Sequence, residues 1–275
     1  MAMKKTLILL IILVSVPLVR AQVIVAPTVL FMSDQSRFGT FIVMNRSNVP
    51  QEISVSFKFG FPESDSLGNV RMQYDDSLMA KEHSCEPWVK GFPQKFVINP
   101  GQQQVVRMLV NPPPDLKDGE YWTRLITSST PQSKVIDTVR TGITANITFV
   151  LQQVTTIIYK KGSVTTSVEL PDVGAIQDSA SINLYAHINR GGNSPFFGKI
   201  SAEVQDKVGN KVFSDEELIA VYQDNMVIKF SIPLTKLAEG TYAASVRLAS
   251  ERTDIPEDNL LKTATVEKTI SFPVQ

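Results

Sequence analysis

Few side chains in this sequence have the type and spacing that catalysis or metal binding requires. His83, Cys85 and Glu86 lie close together, and all three are potential metal ligands. Structural zinc sites, however, use four ligands that are usually arranged in paired clusters. The only other histidine, His187, lies far along the chain. We therefore interpret the segment around Cys85 as an ordinary loop and expect neither a metal nor another cofactor.

Two runs of acidic residues, Asp75–Asp76 and Asp215–Glu217, suggest glycoside hydrolysis. That reaction needs two carboxylates held across a cleft, whereas neighbouring acids in loops are usually solvated. The sequence has no Gly-x-Ser-x-Gly motif, no phosphate-binding glycine loop and no His-Glu-x-x-His motif. Two histidines also give little general-base capacity near neutral pH. We expect a protein that is not an enzyme, with a hydrolytic or carbohydrate-active enzyme as an alternative.

The composition is that of an ordinary globular protein. Of 275 residues, 43% are hydrophobic and 20% are charged, and 27 basic residues balance 27 acidic ones. Such a chain is too apolar for disorder and too neutral for nucleic-acid binding. At roughly 100–200 residues per domain, this length predicts two domains. We expect neither a nucleic-acid partner nor a small-molecule substrate.

The segment Met1–Ala21 has the pattern of a secretory signal. Lys4 and Lys5 precede an apolar run, and Val19–Ala21 ends in the small residue preferred at a cleavage site. A membrane anchor needs about 20 consecutive apolar residues, and this run is shorter. We predict a cleaved signal peptide and an exported mature chain that begins at Gln22. Cleavage leaves 24 basic residues against 27 acidic ones.

The rest of the chain is patterned as β-strands, because apolar residues recur with a period of about two and turn residues recur at short intervals. No segment longer than a turn or two indicates a helix. Lys160–Ser163 is interpreted as a hinge between residues 22–160 and residues 161–275, each predicted to be an immunoglobulin-like β-sandwich. The expected strands are Val23–Met32, Phe38–Met44, Ile53–Phe59, Val70–Gln73, Lys95–Ile98, Gln104–Val110, Tyr121–Thr127, Thr141–Lys160, Val164–Glu169, Ala180–Ile188, Gly198–Gln205, Val212–Val221, Met226–Ile232, Tyr242–Leu248 and Thr263–Phe272.

A faint repeat supports two related domains. Leu116–Tyr121 has a counterpart in Leu237–Tyr242, and both segments place a glycine two residues before a tyrosine. We predict a structural corner in each, in which the glycine makes the turn and a buried tyrosine ring has a hydrogen-bonded hydroxyl. Gly119 and Tyr121 are therefore interpreted as structural residues.

Several segments of residues 23–160 follow one another with an informative order and spacing. They are Ala26–Phe31, Phe41–Asn45, Asn99–Met108 with Pro100, Gly101 and Arg107, Gly119–Trp122 and Leu151–Tyr159. In this order and spacing the first half of the chain resembles the PapD-like family of periplasmic pilus-assembly chaperones. The resemblance makes Asn45, Pro100 and Gly101 structural positions. Arg107 is interpreted as a surface or interdomain ion-pair residue.

The resemblance implies a mechanism for binding a client protein. Such chaperones lend their long last strand to an incomplete pilus subunit, a form of β-strand addition. Ile147, Phe149 and Leu151 alternate where the family has its donor residues, although the same alternation is also expected of an ordinary core strand. The implied partners are exported β-rich subunits and an outer-membrane usher, in the periplasm. The alternative is a secreted adhesin or structural protein that uses its sandwiches as spacers.

One departure from the family concerns the client's carboxylate. The two basic residues that anchor a subunit's C-terminal carboxylate in the family align here with Thr28 and Thr156, which carry no charge. Charge-assisted hydrogen bonds are about twice as strong as neutral ones. Lys160, Lys161 and Arg124 are the alternative basic anchors, and the sequence does not decide whether any of them lies in the cleft.

Overall fold

The computed structural model describes residues 22–132 and 149–275. The predicted signal peptide, Ile147 and the start of the predicted strand Thr141–Lys160 lie outside these residues. Within them, no helix has the length and apolar character needed to cross a membrane. The architecture is all-β, with one short α-helix in the described part of the chain.

The first half of the chain is a sandwich of two sheets, with a small hairpin and a helix added. Its elements are β1 (Val23–Ala26), β2 (Val29–Ser33), β3 (Phe38–Asn45), β4 (Gln51–Lys58), β5 (Phe61–Ser64), β6 (Val70–Gln73), α1 (Ser77–His83), a 3₁₀ turn (Glu86–Trp88), β7 (Val89–Phe92), β8 (Lys95–Ile98), β9 (Gln103–Val110), β10 (Gly119–Pro131) and β11 (Leu151–Lys161).

Sheet A has the strand order β1-β3-β9-β7, and sheet B has the order β2-β11-β10-β4-β8. All pairs in the two sheets are antiparallel except β2 with β11, which is parallel. Alternate side chains of both sheets meet in one core that includes Phe41, Val106, Leu125, Ile157 and Tyr159. Sandwich cores of this kind require each strand to turn one face inward.

The predicted strand Val23–Met32 is wrong as a single strand. The chain pairs with β3 up to Ala26 and with β11 from Val29, so it crosses from sheet A to sheet B at Pro27. Proline has no N–H to donate to a ladder, which makes it a natural place for a strand to end.

The segment between β4 and β8 is more regular than expected. Val70–Gln73 is a strand as predicted, but it pairs with β5, which the sequence analysis missed. Asp76 is the N-cap of α1, and its carboxylate accepts hydrogen bonds from the backbone N–H groups of Leu78 (3.0 Å) and Met79 (2.9 Å). This capping role accounts for one member of the Asp75–Asp76 pair.

The second half of the chain forms another two-sheet sandwich, as predicted. Sheet C has the order β12-β13-β16 and sheet D the order β15-β14-β17-β18. All seven strands predicted from the sequence overlap observed ones. They are β12 (Thr166–Gln177), β13 (Ser181–Gly192), β14 (Phe196–Gln205), β15 (Lys211–Val221), β16 (Asn225–Pro233), β17 (Gly240–Ala249) and β18 (Val266–Val274), with 3₁₀ turns at Leu234–Lys236 and Glu257–Asn259.

The repeated motif forms the same corner in both sandwiches. The Tyr121 hydroxyl donates to the carbonyl of Lys117 at 3.0 Å, and the Tyr242 hydroxyl donates to the carbonyl of Ala238 at 2.9 Å. Both rings are buried. Each hydroxyl thus satisfies a turn carbonyl and fixes the entry into the strand that follows.

Asn45 ties three segments of the first sandwich together. Its side-chain amide donates to the backbone carbonyls of Val49 (2.8 Å) and Ile98 (2.9 Å). The backbone carbonyl of Asn45 accepts a hydrogen bond from the Gly101 N–H at 2.9 Å. Gly101 follows Pro100 with φ of +74°, a conformation that favours glycine. The turn formed by Asn99, Pro100 and Gly101 therefore supports the end of β3.

An aromatic cluster joins the two sandwiches. Trp122 from β10 stacks on Phe59, with ring centroids 5.6 Å apart, and meets Tyr222 of the second sandwich at 4.7 Å. The β5–β6 hairpin adds a hydrogen bond from the Val227 N–H to the Ser64 hydroxyl at 2.7 Å. These contacts hold the second sandwich against one end of sheet B.

Glu120 is a buried carboxyl at this junction. It accepts a 2.7 Å hydrogen bond from the Ser194 hydroxyl across the two sandwiches. Burial raises its pKa to about 6, and the Ser194 hydrogen bond and the charge of Lys160 only partly oppose the rise. The contribution of Glu120 to the stability of the folded protein is therefore fully present below the unfolded pKa near 4.5, where the carboxyl is neutral. This contribution is lost as the pH rises through about 6.

We expect Glu120→Gln to raise the free energy of unfolding by about 2 kcal/mol at pH 8, because it removes a buried charge. At pH 4 the variant and the parent should have equal stability. Urea unfolding at both pH values measures the difference. The matched control is Glu239→Gln at an exposed position, which should change the free energy of unfolding little at either pH. An equal gain in the free energy of unfolding for Glu120→Gln at pH 4 and pH 8 would contradict the prediction.

Candidate functional site

The outer part of β11 has an unpaired edge. Along one side, β11 pairs with β10 from Leu151 to Lys161. Along the other side, β2 covers only Thr156–Lys160. Among the described residues, no strand pairs with this second edge of β11 at positions 151–155. An open strand edge presents backbone N–H and C=O groups that can accept another strand.

Large apolar side chains cluster on this open part of the chain. Phe149 is 79% exposed and Leu151 is 44% exposed, and Val150 and Val154 are exposed as well. Neither Phe149 nor Leu151 belongs to the core of the first sandwich. The ordinary core interpretation therefore fails for these two residues, while the third expected donor residue, Ile147, lies outside the described part of the chain.

The two threonines aligned with the family's basic residues lie next to each other. The Thr156 N–H donates to the carbonyl of Thr28 at 3.0 Å, where β2 begins to cover β11. The Thr28 side chain is exposed, and the Thr156 hydroxyl accepts a hydrogen bond from the guanidinium of Arg124. The two positions thus lie side by side, and a cation on the neighbouring strand contacts Thr156.

Arg124 is a buried cation, with 6% of its surface exposed. Its Nε donates to the carbonyl of Gly60 at 2.8 Å, and its guanidinium carbon lies 5.0 Å from the centre of the Tyr222 ring. No carboxylate among the described residues lies within ion-pair distance of it. The bonds to Gly60 and Thr156 use two of its five N–H donors.

A second cation lies opposite Arg124 on sheet B. Lys58 of β4 is its register partner, and the Lys58 side chain is about half exposed. Its ammonium lies 5.1 Å from the centre of the Tyr74 ring and 3.5 Å from a carboxylate oxygen of Asp75. Arg124 therefore lies one strand inward from Thr156 and Lys58 two strands inward, and Lys58 already has Asp75 as an ion-pair partner.

The other basic candidates have different surroundings. The Lys161 ammonium forms a 2.8 Å ion pair with Asp34, and hydrogen bonds from Lys161 and Tyr159 hold the pKa of Asp34 below its usual range. Lys160 lines a cavity with Glu120 near the junction of the two sandwiches. Of the three basic residues named from the sequence, Arg124 is the one that contacts Thr156.

The loop around Cys85 uses its polar groups structurally. Glu86 accepts a 2.7 Å hydrogen bond from the Phe59 N–H. The His83 ring stacks on Trp122 at 4.9 Å, and burial lowers the pKa of His83. Cys85 is fully buried, which raises the pKa of its thiol. In the described ranges, no three His, Cys, Asp or Glu side chains converge as a metal site would require.

The acidic run Asp215–Glu217 lies on the edge strand β15 of sheet D. Asp215 and Glu217 share one face of β15 and Glu216 points to the other, and all three side chains are exposed. Glu216 instead pairs with Lys199 at 3.1 Å. This is the geometry of a solvated edge rather than of a hydrolytic pair.

Comparison with known proteins finds similar structures but no matching sequences. No protein-family model matches the chain, and no curated protein does. The chain is structurally similar to pilus chaperones. The CsuC–CsuE chaperone–tip adhesion subunit complex of Acinetobacter baumannii aligns over 90% of this chain and 98% of its own, with 11% identity and a TM-score of 0.48. The CupB2 chaperone of Pseudomonas aeruginosa aligns over 92% and 100%, with 13% identity and a TM-score of 0.47. The periplasmic chaperone SfaE aligns over 89% and 98%, with 10% identity and a TM-score of 0.43.

Proposed function

We propose that this protein is a non-catalytic, periplasmic chaperone that binds exported β-rich subunits by adding the outer part of β11 to the client's sheet. The observation that carries the proposal is the unpaired edge at positions 151–155 together with the exposed apolar side chains of Phe149 and Leu151. Main-chain hydrogen bonds supply affinity in strand addition, and alternate side chains fill pockets of the partner.

The exposed apolar residues favour binding over a spacer role. A strand edge that is both open and apolar is an aggregation hazard, and proteins usually blunt such edges with charge, proline or a covering segment. Positions 149–151 carry the sequence Phe-Val-Leu, with no charge and no proline. A client strand that covers this edge would remove the aggregation hazard. A spacer domain, in contrast, has no use for an exposed apolar edge.

Arg124 is proposed as the anchor for the client's terminal carboxylate, with Lys58 beside it on β4. A buried guanidinium without a carboxylate partner has lost hydration and gained only neutral acceptors. A carboxylate that entered the cleft next to Thr156 would supply the missing charge and bidentate acceptors. The client is thus an exported subunit that presents a free C-terminus, and an outer-membrane usher would receive the complex.

Hydrogen exchange on a purified complex with an incomplete β-sandwich subunit tests strand addition. The Thr156 N–H points away from β10, so those of Gln152 and Val154 do the same. We expect the amides of Gln152 and Val154 to exchange rapidly in the free protein and to be protected at least tenfold when the subunit is bound. The amides of β15, another edge strand, serve as the internal control and should not change. A complex that leaves the amides of Gln152 and Val154 unprotected would favour the spacer or adhesin alternative.

The two threonines themselves should contribute little to client binding. Each lost hydroxyl hydrogen bond costs about 0.5–1.5 kcal/mol, so Thr28→Ala combined with Thr156→Ala should leave most of the client bound. Retention of a co-expressed subunit on the tagged variant measures this. Complete loss of binding by a variant that melts like the parent would show that the threonines, and not Arg124, form the anchor.

A further inference from the structure

The outward face of sheet A is unusually apolar for a surface exposed to water. Side chains alternate along its strands, so twelve positions point away from the core. Eight of them carry apolar residues, two carry polar neutral residues, and two carry cations. This outward face consists of Ile24, Ala26, Phe38, Thr40, Ile42, Met44, Lys90, Phe92, Gln103, Val105, Arg107 and Leu109.

The register shows how the cations lie among these residues. Phe38, Leu109 and Lys90 form one cross-strand row, and Thr40, Arg107 and Phe92 form the next. Phe38 is 72% exposed and Phe92 is 74% exposed. Arg107 therefore has Phe92 and Thr40 beside it on the neighbouring strands, and the apolar Val105 and Leu109 on the same face of its own strand.

Sheet D of the same molecule shows what a solvated outward face looks like. Its outward lysines and arginines are paired with acids: Lys199 with Glu216, Lys211 with Glu203 and Arg247 with Glu251. The outward face of sheet A has no acid among its twelve positions. Within the described residues, neither Lys90 nor Arg107 has a carboxylate at ion-pair distance.

We propose that the outward face of sheet A binds a second protein, one that presents apolar side chains interspersed with carboxylates. Contiguous apolar patches of this kind mark interaction sites. The two unpaired cations specify the charge of the partner, because like charges brought together across an interface cost several kcal/mol. The outward face of sheet A points away from the core, whereas the open edge of β11 belongs to sheet B.

Two other occupants fit the face less well. A symmetric dimer of this chain would bring the same two cations towards each other, since an isologous interface pairs a patch with itself. Recognition of anionic lipid typically uses clusters of four to eight cations, whereas this face has two. The rest of the predicted mature chain has more acids than bases, which would oppose an anionic membrane.

Site-specific photocrosslinking in the cells that produce the protein tests the proposal. A photoreactive phenylalanine analogue replaces Phe92 in the full chain, and a second variant carries it at Thr269 on the outward face of sheet D as control. We expect position 92, but not position 269, to give a protein adduct whose crosslinked peptide contains Asp or Glu among apolar residues. Arg107→Glu combined with Lys90→Glu should reduce the adduct about tenfold or more without changing the melting temperature.

A charge-swap experiment, in which the charges of both binding partners are reversed, completes the test. Replacing the partner's crosslinked acids by lysine should restore the adduct with the Arg107→Glu and Lys90→Glu chain. An adduct with a second copy of this chain, an adduct with lipid, an adduct that survives charge reversal, or a yield at position 92 no higher than at position 269 would each overturn the proposal.

Discussion

Replacing Phe149 and Leu151 by threonine will lower client affinity by roughly a hundred- to ten-thousand-fold and leave the melting temperature of the free protein almost unchanged. Each large apolar side chain that becomes buried contributes about 1.5–3 kcal/mol, and each 1.4 kcal/mol is a factor of ten in Kd. Both residues are exposed and outside the core, so the free protein loses little. Threonine preserves β-propensity, so the strand itself should persist.

The control for this prediction is a pair of exposed apolar residues away from β11. Leu218 of β15 and Ile176 of β12 are 53% and 60% exposed, and their replacement by threonine should leave client affinity unchanged. Titration of a fluorescent subunit gives Kd, and thermal melts of the free variants report folding. If Phe149→Thr with Leu151→Thr lowered the melting temperature strongly, the side chains would be part of the fold rather than of the client site.

The sequence predicted the two sandwiches because the period of the apolar residues is a local signal. In β9, for example, Val106, Met108 and Val110 are buried and the residues between them face outward, as the alternation indicates. The corners at Tyr121 and Tyr242 were equally accessible, since each hydrogen bond spans four residues. Patterns that repeat within one strand or one turn need no knowledge of the rest of the chain.

Features that depend on distant segments could not be predicted in the same way. The surroundings of Arg124 come from Gly60 and from Tyr222 in the other sandwich, and nothing near Arg124 in the sequence specifies either contact. Strand β5 was missed because it is four residues long and has a proline at its second position. The crossing at Pro27 did have a local signal, because proline interrupts a ladder.

Two cations, Arg124 and Lys58, lie on the strands of sheet B that follow Thr156 towards its middle. Thr28 immediately precedes β2 and Thr156 lies on β11, while Arg124 lies on β10, next to β11, and its register partner Lys58 lies on β4, the strand beyond. Neighbouring strands in a sheet lie about 4.8 Å apart, a distance that the length of an arginine side chain easily spans. Arg124 can therefore reach a group placed beside Thr156, as its hydrogen bond to the Thr156 hydroxyl shows.

Arg124→Gln will weaken client binding by about 2–5 kcal/mol, roughly thirty- to several-thousand-fold, if Arg124 holds the client's terminal carboxylate. This is the usual effect of removing one partner of a buried, hydrogen-bonded charge pair.

Extending the client's C-terminus by two glycines displaces the same carboxylate and should lower the binding free energy by a similar amount. Because both changes break one interaction, the two losses should not add when they are combined. Isothermal titration of the four combinations gives the coupling free energy directly. Lys95→Gln, which removes an exposed cation from the same sheet, should leave the affinity unchanged, and thermal melts verify that Arg124→Gln remains folded. Additive losses, or full affinity in a folded Arg124→Gln variant, would show that the carboxylate is bound elsewhere.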